Sequence, residues 1–246
     1  MSYVERLVSS PLVSCTWEQR IDAPHEQRVV PDACVDLIWS GGRLTIAGPD
    51  TRARLVSLTP GTDIVGVRLR PGVAGAVLGL PATELCDQAP AAEEVLGRDA
   101  VRTLLAELHT GRDAHAILLR AIELRARATP DPLVRAAVAA LDRPDARVAG
   151  VADALGLSAR QLQRRVADAV GYGPKTLARV LRFCRLQALA TSSTADHRDD
   201  PASEPALVDL ALDAGYADQA HMTAEVTRLA GLSPVRFLKD RPPSAA

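Results

Sequence analysis

Apolar residues take every second position in parts of the first third of the chain, as strands with one buried face require. The alternation through Val35, Leu37 and Trp39 predicts a strand over residues 33–40. The Gly41-Gly42 pair that follows is a turn signal, and residues 44–47 form the returning strand of a predicted hairpin. Further short strands are predicted over residues 55–58 and 64–69.

The apolar spacing changes to that of helices after Pro71. Helices are predicted over residues 73–80, 100–108 and 112–127. The run Thr129-Pro130-Asp131-Pro132 then interrupts any helix with two prolines. We therefore predict an α+β protein with a β-rich domain and trailing helices at residues 1–128, followed by an all-helical domain at residues 130–246.

The second domain contains an internal duplication. Residues 152–157 (ADALGL) correspond to residues 211–216 (ALDAGY), and Pro174 corresponds to Pro234. Each copy has the pattern of two helices joined by a short glycine turn, which predicts helix-turn-helix units at about residues 148–171 and 207–231.

The first unit has a clear second helix. Ser158 is a good N-cap, and a helix is predicted over residues 159–170, ending at Gly171. Arg160, Gln163 and Arg164 share its outer face, where arginine can bridge the O6 and N7 atoms of guanine and glutamine the N6 and N7 atoms of adenine. A solvated helix face is the alternative interpretation.

In the second unit Asp218 is the predicted N-cap of a helix that ends at about Ala230. Five residues form its predicted outer N-terminal face: Gln219, Ala220, His221, Thr223 and Ala224. His221 is also a conceivable metal ligand, but the sequence places no partner ligands near it. Between the units, a helix of about 25 Å is predicted from Pro174 to about Ala190.

The net charge of −1 conceals a strongly uneven distribution. Residues 158–185 hold a single acid, Asp168, whereas residues 186–213 are acidic. Seven cations lie in the first of these stretches: Arg160, Arg164, Arg165, Lys175, Arg179, Arg182 and Arg185. A local basic surface of this kind favours a polyanionic partner such as DNA, and Arg165 is a candidate DNA-contacting residue alongside Arg160 and Arg164.

The stretches GLSARQLQRRV and AGYADQAHMTAEVTRLAGLSP resemble the AraC/XylS family of bacterial regulators, over about residues 132–239. The resemblance implies that Arg160, Gln163 and Arg164 read bases in double-stranded promoter DNA, and that Gln219, Ala220 and Thr223 hold the matching surface of the second unit. RNA polymerase is left open as a further partner.

Two features depart from that family. Ala224 stands where the family commonly has arginine, and residues 191–205 form a longer acidic loop. We therefore expect the first unit to dominate base recognition.

The stretches CVDLIW, IAGPDT and GVRLRPG of the first domain resemble the regulatory half found in one branch of the same family. We therefore expect this domain to bind a small-molecule effector or to form a homodimer, with Asp36, Arg68 and Arg70 as candidate residues. A solvated edge strand is the alternative for the two arginines.

An enzyme and an architectural DNA-binding protein are the two alternative classes of function. Asp32, Asp36 and His25 could be imagined as an acid–base set, but the chain lacks a phosphate-binding loop and the common nucleophile and metalloprotease motifs, so we expect no enzyme. An architectural DNA-binding protein would not need the first domain.

The remaining features predict no cofactor, metal or membrane contact. The four cysteines are far apart and lack zinc-ligand spacing. Residues 1–10 lack a signal-peptide pattern, and the apolar runs are too short to span a bilayer, so we expect a cytoplasmic protein.

Overall fold

The computed structural model describes residues 2–126, 128–196 and 207–240, with side chains described up to residue 192 in the second range. The α+β class is confirmed: strands lie in the first domain and the second is helical. The strands are β1 Ser2–Leu7, β2 Val13–Ile21, β3 His25–Val29, β4 Val35–Ser40, β5 Arg43–Ala47, β6 Arg54–Leu58 and β7 Thr62–Leu69.

Eleven α-helices lie in the described residues. They are α1 Ala74–Leu78, α2 Ala92–Leu96, α3 Arg98–Leu108, α4 Ala114–Arg125, α5 Pro132–Leu141, α6 Val148–Ala154, α7 Ala159–Val170, α8 Pro174–Asp196, α9 Leu207–Asp213, α10 Gln219–Ala230 and α11 Pro234–Lys239. A short 3-10 helix, Ala82–Leu85, follows α1.

Five strands form an antiparallel sheet in the order β1-β2-β7-β4-β5, and β3 pairs with β6 in a separate two-stranded ribbon. The hairpin of β4 and β5 and the strands β6 and β7 agree with the predictions, whereas β1, β2 and β3 were not predicted. β7 is the central strand and is almost entirely buried, because α4 covers it. Leu118 and Ile122 of α4 join the core beneath it.

The second domain packs around α8. Its side chains Leu177, Val180, Phe183 and Leu186 are fully buried and contact both helix pairs. The predicted end of this helix near Ala190 was wrong: the helix continues to Asp196, through the first part of the predicted acidic loop. The rest of that loop, residues 197–205, lies outside the described residues.

Both helix pairs of the duplication are present, as α6 with α7 and α9 with α10. Ser158 caps α7 in a capping box with Gln161, and the Asp218 carboxylate accepts the backbone N–H of His221 at the start of α10. Gly171 ends α7 at φ 100°, a left-handed conformation that strongly favours glycine. These bounds and caps agree with the predictions, while the border at residues 128–130 stays a prediction.

Candidate nucleic-acid interface

The second helix of the first pair, α7, has one buried and one open face. Leu162, Val166 and Val170 point into the core, and three predicted readers are exposed on the other side: Arg160, Gln163 and Arg164. The Gln163 amide lies against Gly173, where a Cβ would come within 2.3 Å of its Nε2 atom. The outer face of α7 therefore presents two guanidinium groups and one amide held close to the α7–α8 turn.

Arg165, also predicted to contact DNA, is engaged within the protein. Its Nη1 atom lies 2.5 Å from the Oδ2 atom of Asp131, the N-cap residue of α5. The other oxygen of that carboxylate accepts the backbone N–H of Leu133. The guanidinium of Arg165 thus joins α7 to α5, and its contact with DNA stays a prediction.

Ion pairs also engage other members of the predicted basic stretch. Arg179 binds the Glu225 carboxylate through two bonds of 2.6 and 2.8 Å. Arg185 donates to the Asp142 carboxylate and to the carbonyl of Ala214.

A further cation, Arg182, stacks over the Tyr216 ring at 5.4 Å. With Arg165, Arg179 and Arg185 paired to carboxylates, four of the seven cations form no ion pair with any described residue. Apart from the stacked Arg182, these are the three exposed cations Arg160, Arg164 and Lys175, the open cations.

The second helix of the other pair, α10, carries a different outer face. Gln219, Ala220 and Thr223 are exposed, as predicted from the duplication. The Thr223 hydroxyl donates to the Gln219 carbonyl at 2.8 Å. Ala224 is exposed beside them, and the neighbouring Glu225 carboxylate is turned toward Arg179. The face is therefore small and nearly uncharged.

His221 is a packed residue of that helix. Its Nδ1 atom accepts the backbone N–H of Ala217 at 3.2 Å, and its ring stands edge-on to Tyr216 at 5.4 Å. The ring is half-buried. These contacts secure the turn that precedes α10 and commit one ring nitrogen to the backbone.

An apolar groove beside α10 was not predicted from the sequence. Val208 and Leu212 of α9 are 47% and 51% exposed and line an open groove with Ala220, Ala224 and Thr227. α9 is a short helix rich in apolar residues, and its sequence alone does not show that Val208 and Leu212 stay exposed while Leu210 is buried.

The candidate regulatory residues of the first domain do not form one site. Arg68 is surrounded by carboxylates: its guanidinium binds Asp36 through two nitrogens and lies 3.1 Å from Glu5 and 3.4 Å from Asp32. Burial raises the pKa of Asp36, and the Arg68 charge opposes that shift. The Trp17 indole N–H donates to the same carboxylate.

Arg70 lies apart from that cluster and donates to the Ser10 carbonyl at 2.9 Å. The alternative of a solvated edge strand was wrong for Arg68, which lies on the central strand β7, whereas Arg70 follows the end of that strand and is exposed. His25 lies on β3, in the other sheet, and is exposed. In the candidate acid–base set, His25 thus lies in a different sheet from Asp36, and Asp32 lies in the segment that joins β3 to β4.

The two domains touch at the carboxyl ends of α7 and α10. Arg28 of β3 donates to the Ala230 carbonyl at 2.9 Å, and the backbone N–H of Ala53 donates to the Leu229 carbonyl at 2.7 Å.

At the end of α7, Gly171 lies directly against the first domain. A Cβ there would come within 2.6 Å of Pro49 and 3.0 Å of the Ala82 carbonyl. The last carbonyl groups of a helix have no hydrogen-bond partner within the helix. The first domain donates hydrogen bonds to two of them at the end of α10 and packs against the end of α7.

Within the described residues, no group of three or more histidine, cysteine or acidic side chains could hold a metal ion. Among the same residues, no helix combines the length and apolar character that crossing a membrane requires.

Two family models match parts of the chain. Residues 151–240 match a helix-turn-helix domain, and residues 10–90 match a domain of unknown function (DUF6597). No curated protein shows a significant match.

Solved structures show a more distant likeness. The C-terminal domain of AraT, a response regulator from Geobacillus stearothermophilus, is 22% identical with a TM-score of 0.38, over 45% of this chain and 87% of that one. An apo variant of ToxT from Vibrio cholerae is 10% identical with a TM-score of 0.48, over 95% and 99% of the two chains. ToxT from Vibrio cholerae with bound unsaturated fatty acid is 10% identical with a TM-score of 0.47, over 99% of this chain and 97% of that one.

Proposed function

We propose that this chain is a DNA-binding transcription regulator in which α7 and α10, both within the helix-turn-helix domain matched at residues 151–240, read two adjacent major-groove segments of promoter DNA. The first domain modulates this reading. Arg160, Gln163 and Arg164 contact bases of the first segment, and the small outer face of α10 contacts the second.

The observation that carries the proposal is the division of α7 into two faces. A fully buried apolar stripe fixes the helix on the domain, while two arginines and a glutamine stand exposed near its amino end. The amino-terminal residues of the second helix are those that reach base edges in helix-turn-helix proteins. Arg160 and Arg164 have no carboxylate partner among the described residues, so their guanidinium groups are available to guanine or phosphate.

The packing of α8 against both pairs supports reading by two helices. α8 follows α7 directly, Arg179 binds Glu225 of α10, and Arg185 donates to the Ala214 carbonyl after α9. One turn of DNA repeats its major groove after about 34 Å. A helix that packs against both pairs holds α7 and α10 in a fixed relation, as contact with successive grooves on one side of the duplex requires.

Selection from a library of random duplexes with the full-length chain tests the proposal. We expect a consensus with two half-sites about ten base pairs apart. The double variant Arg160→Ala/Arg164→Ala should lose the preference of one half-site. Arg20→Ala is the matched control, because Arg20 is an exposed arginine of β2 that pairs only with the exposed Asp63 among described residues. Failure to enrich any sequence would overturn the proposal.

The contacts between the domains suggest how the first domain acts. It holds the carboxyl ends of α7 and α10 and leaves their amino ends open. Two of these contacts, from Arg28 and Ala53, come from β3 and from the residue just before β6. A two-stranded ribbon is marginally stable alone. An effector or a second copy that displaces this ribbon would therefore change the position of α10 relative to α7.

The spacing of the half-sites reports on that mechanism. In the wild type we expect insertion of a single base pair between the half-sites to weaken binding strongly. Arg28→Ala removes a charged donor from the end of α10, so the variant should tolerate the insertion better, whereas Arg20→Ala should not. Identical spacing profiles for all three proteins would exclude the ribbon as the controlling element.

A further inference from the structure

The outer face of α10 carries methyl groups where a reading helix usually carries long polar side chains. Four exposed residues at helical spacing form this methyl face: Ala220, Thr223, Ala224 and Thr227. The groove beside it is walled by Val208 and Leu212, two apolar residues that are about half exposed. The methyl face and the groove together make a continuous apolar strip along α10.

Asp218 and Gln219 also line the groove, at the amino end of α10, whereas the polar groups farther along the helix are engaged within the protein or lie at its far end. The Thr223 hydroxyl donates to the Gln219 carbonyl of its own helix, which leaves the methyl branch as the free end of the side chain. The Glu225 carboxylate binds Arg179. Arg228 is the only cation of α10 and lies in its last turn, at the end held by the first domain.

Only one apolar group is offered by the base edges of unmodified DNA in the major groove, the C5 methyl of thymine. Alanine and the threonine methyl are the side-chain groups that contact it. Ala220 and Ala224, which lie one helical turn apart on this face, have short side chains that let the helix backbone approach the bases closely. We infer that the methyl face selects thymine in the second half-site through methyl–methyl packing.

This inference rests on the proposed reading of DNA by α10, and it predicts a definite cost for each methyl removed. Burying one methyl-sized group corresponds to about a fourfold change in a binding constant. Replacing a contacted thymine by deoxyuridine removes only that methyl and keeps every hydrogen-bonding group of the base. Each such replacement should therefore weaken binding by about fourfold.

The experiment uses the full-length chain and the duplex obtained by selection. Every thymine is replaced in turn by deoxyuridine, and Kd is measured by fluorescence anisotropy. We expect one or two thymines of the second half-site to show the fourfold loss. The variant Thr223→Ser, which removes only the protein methyl, should abolish the loss at one of them.

Thr103→Ser is the matched control. Thr103 is an exposed helical threonine of α3 whose hydroxyl also donates to the carbonyl four residues earlier, that of Asp99. This variant should retain the full deoxyuridine effect.

The outcomes separate this inference from the function on which it rests. Salt-dependent binding to a selected duplex, with no deoxyuridine effect in the second half-site, would overturn thymine selection and leave DNA reading intact. A deoxyuridine effect that Thr223→Ser does not alter at any position would also overturn it. Absence of any selected sequence would refute DNA reading itself.

Discussion

Arg164 and Arg165 are neighbours in α7, and the structure predicts opposite consequences for truncating them. Arg164 is exposed and forms no ion pair with a described residue, whereas Arg165 is bound to Asp131. A bidentate arginine contact to guanine contributes about 1–3 kcal/mol of discrimination. Arg164→Ala should therefore relax the preference at one base of the first half-site by roughly 5- to 150-fold and leave the free energy of unfolding nearly unchanged.

Arg165→Ala should do the reverse. The pair with Asp131 is partly exposed, so solvent screening limits its contribution to stability to about 1 kcal/mol or less. Asp131 also keeps its bond to the backbone N–H of Leu133, which preserves the cap of α5. We expect a small loss of stability and an unchanged base preference.

Titration of both variants on the selected duplex and on its single-base variants, with urea unfolding in parallel, separates the two effects. The wild type gives the reference for both measurements. If Arg165→Ala relaxed base preference as much as Arg164→Ala, the reasoning that an internal ion pair removes an arginine from the reading surface would be refuted.

Three further predictions concern charge, packing and thiol reactivity. Among the seven cations of residues 158–185, three pair with carboxylates of described residues and Arg182 stacks on Tyr216, which leaves the three open cations. The slope of log K against log salt, measured by titration at several salt concentrations, should therefore be about −3 from these cations, rather than about −6 from all seven. Gly66→Ala should lower the free energy of unfolding in urea by about 1–3 kcal/mol, because its Cβ would come within 2.2 Å of the Trp17 ring. Gly150→Ala, on α6 with open space around the added Cβ, should raise that free energy by up to about 1 kcal/mol. Burial and the Asp87 charge raise the pKa of Cys86 to about 11, so its alkylation by iodoacetamide should still accelerate above the pH at which an ordinary thiol, with a pKa of about 8.5, levels off.

Local signals in the sequence were sufficient to place both ends of α7. The serine cap and terminal glycine predicted the bounds of α7, because caps depend on residues within one helical turn. The end of α8 was missed because residues 191–196 contain neither glycine nor proline to stop the helix, and their polar character alone suggested a loop. β2 was missed because Glu18, Gln19 and Arg20 interrupt its apolar pattern, although Gln19 is buried.

The sequence could not predict which of the cations are paired with carboxylates inside the protein and which remain open. Arg165, Arg179 and Arg185 find their carboxylates 34, 46 and 43 residues away, and no local pattern links such positions. Counting cations along the chain therefore overstated the basic surface. The position of Arg68 was missed for the same reason, since its three carboxylates come from β1, β4 and the segment before β4.

The same ion pairs give the two proposed reading helices different chemistry. The pair between Arg179 and Glu225 removes one cation from α8 and the one acid from α10, so it leaves α10 nearly neutral while α7 keeps two open arginines. A neutral, methyl-lined helix gains little from phosphate attraction, and its binding should respond weakly to salt. α7, with its charges and hydrogen-bonding groups, would then determine how the protein is positioned on the DNA. Recognition by α10 would depend on how closely α8 and the first domain hold it against the second groove, because a gap of about 0.5–1 Å between methyl groups already removes roughly a quarter to a half of their attraction.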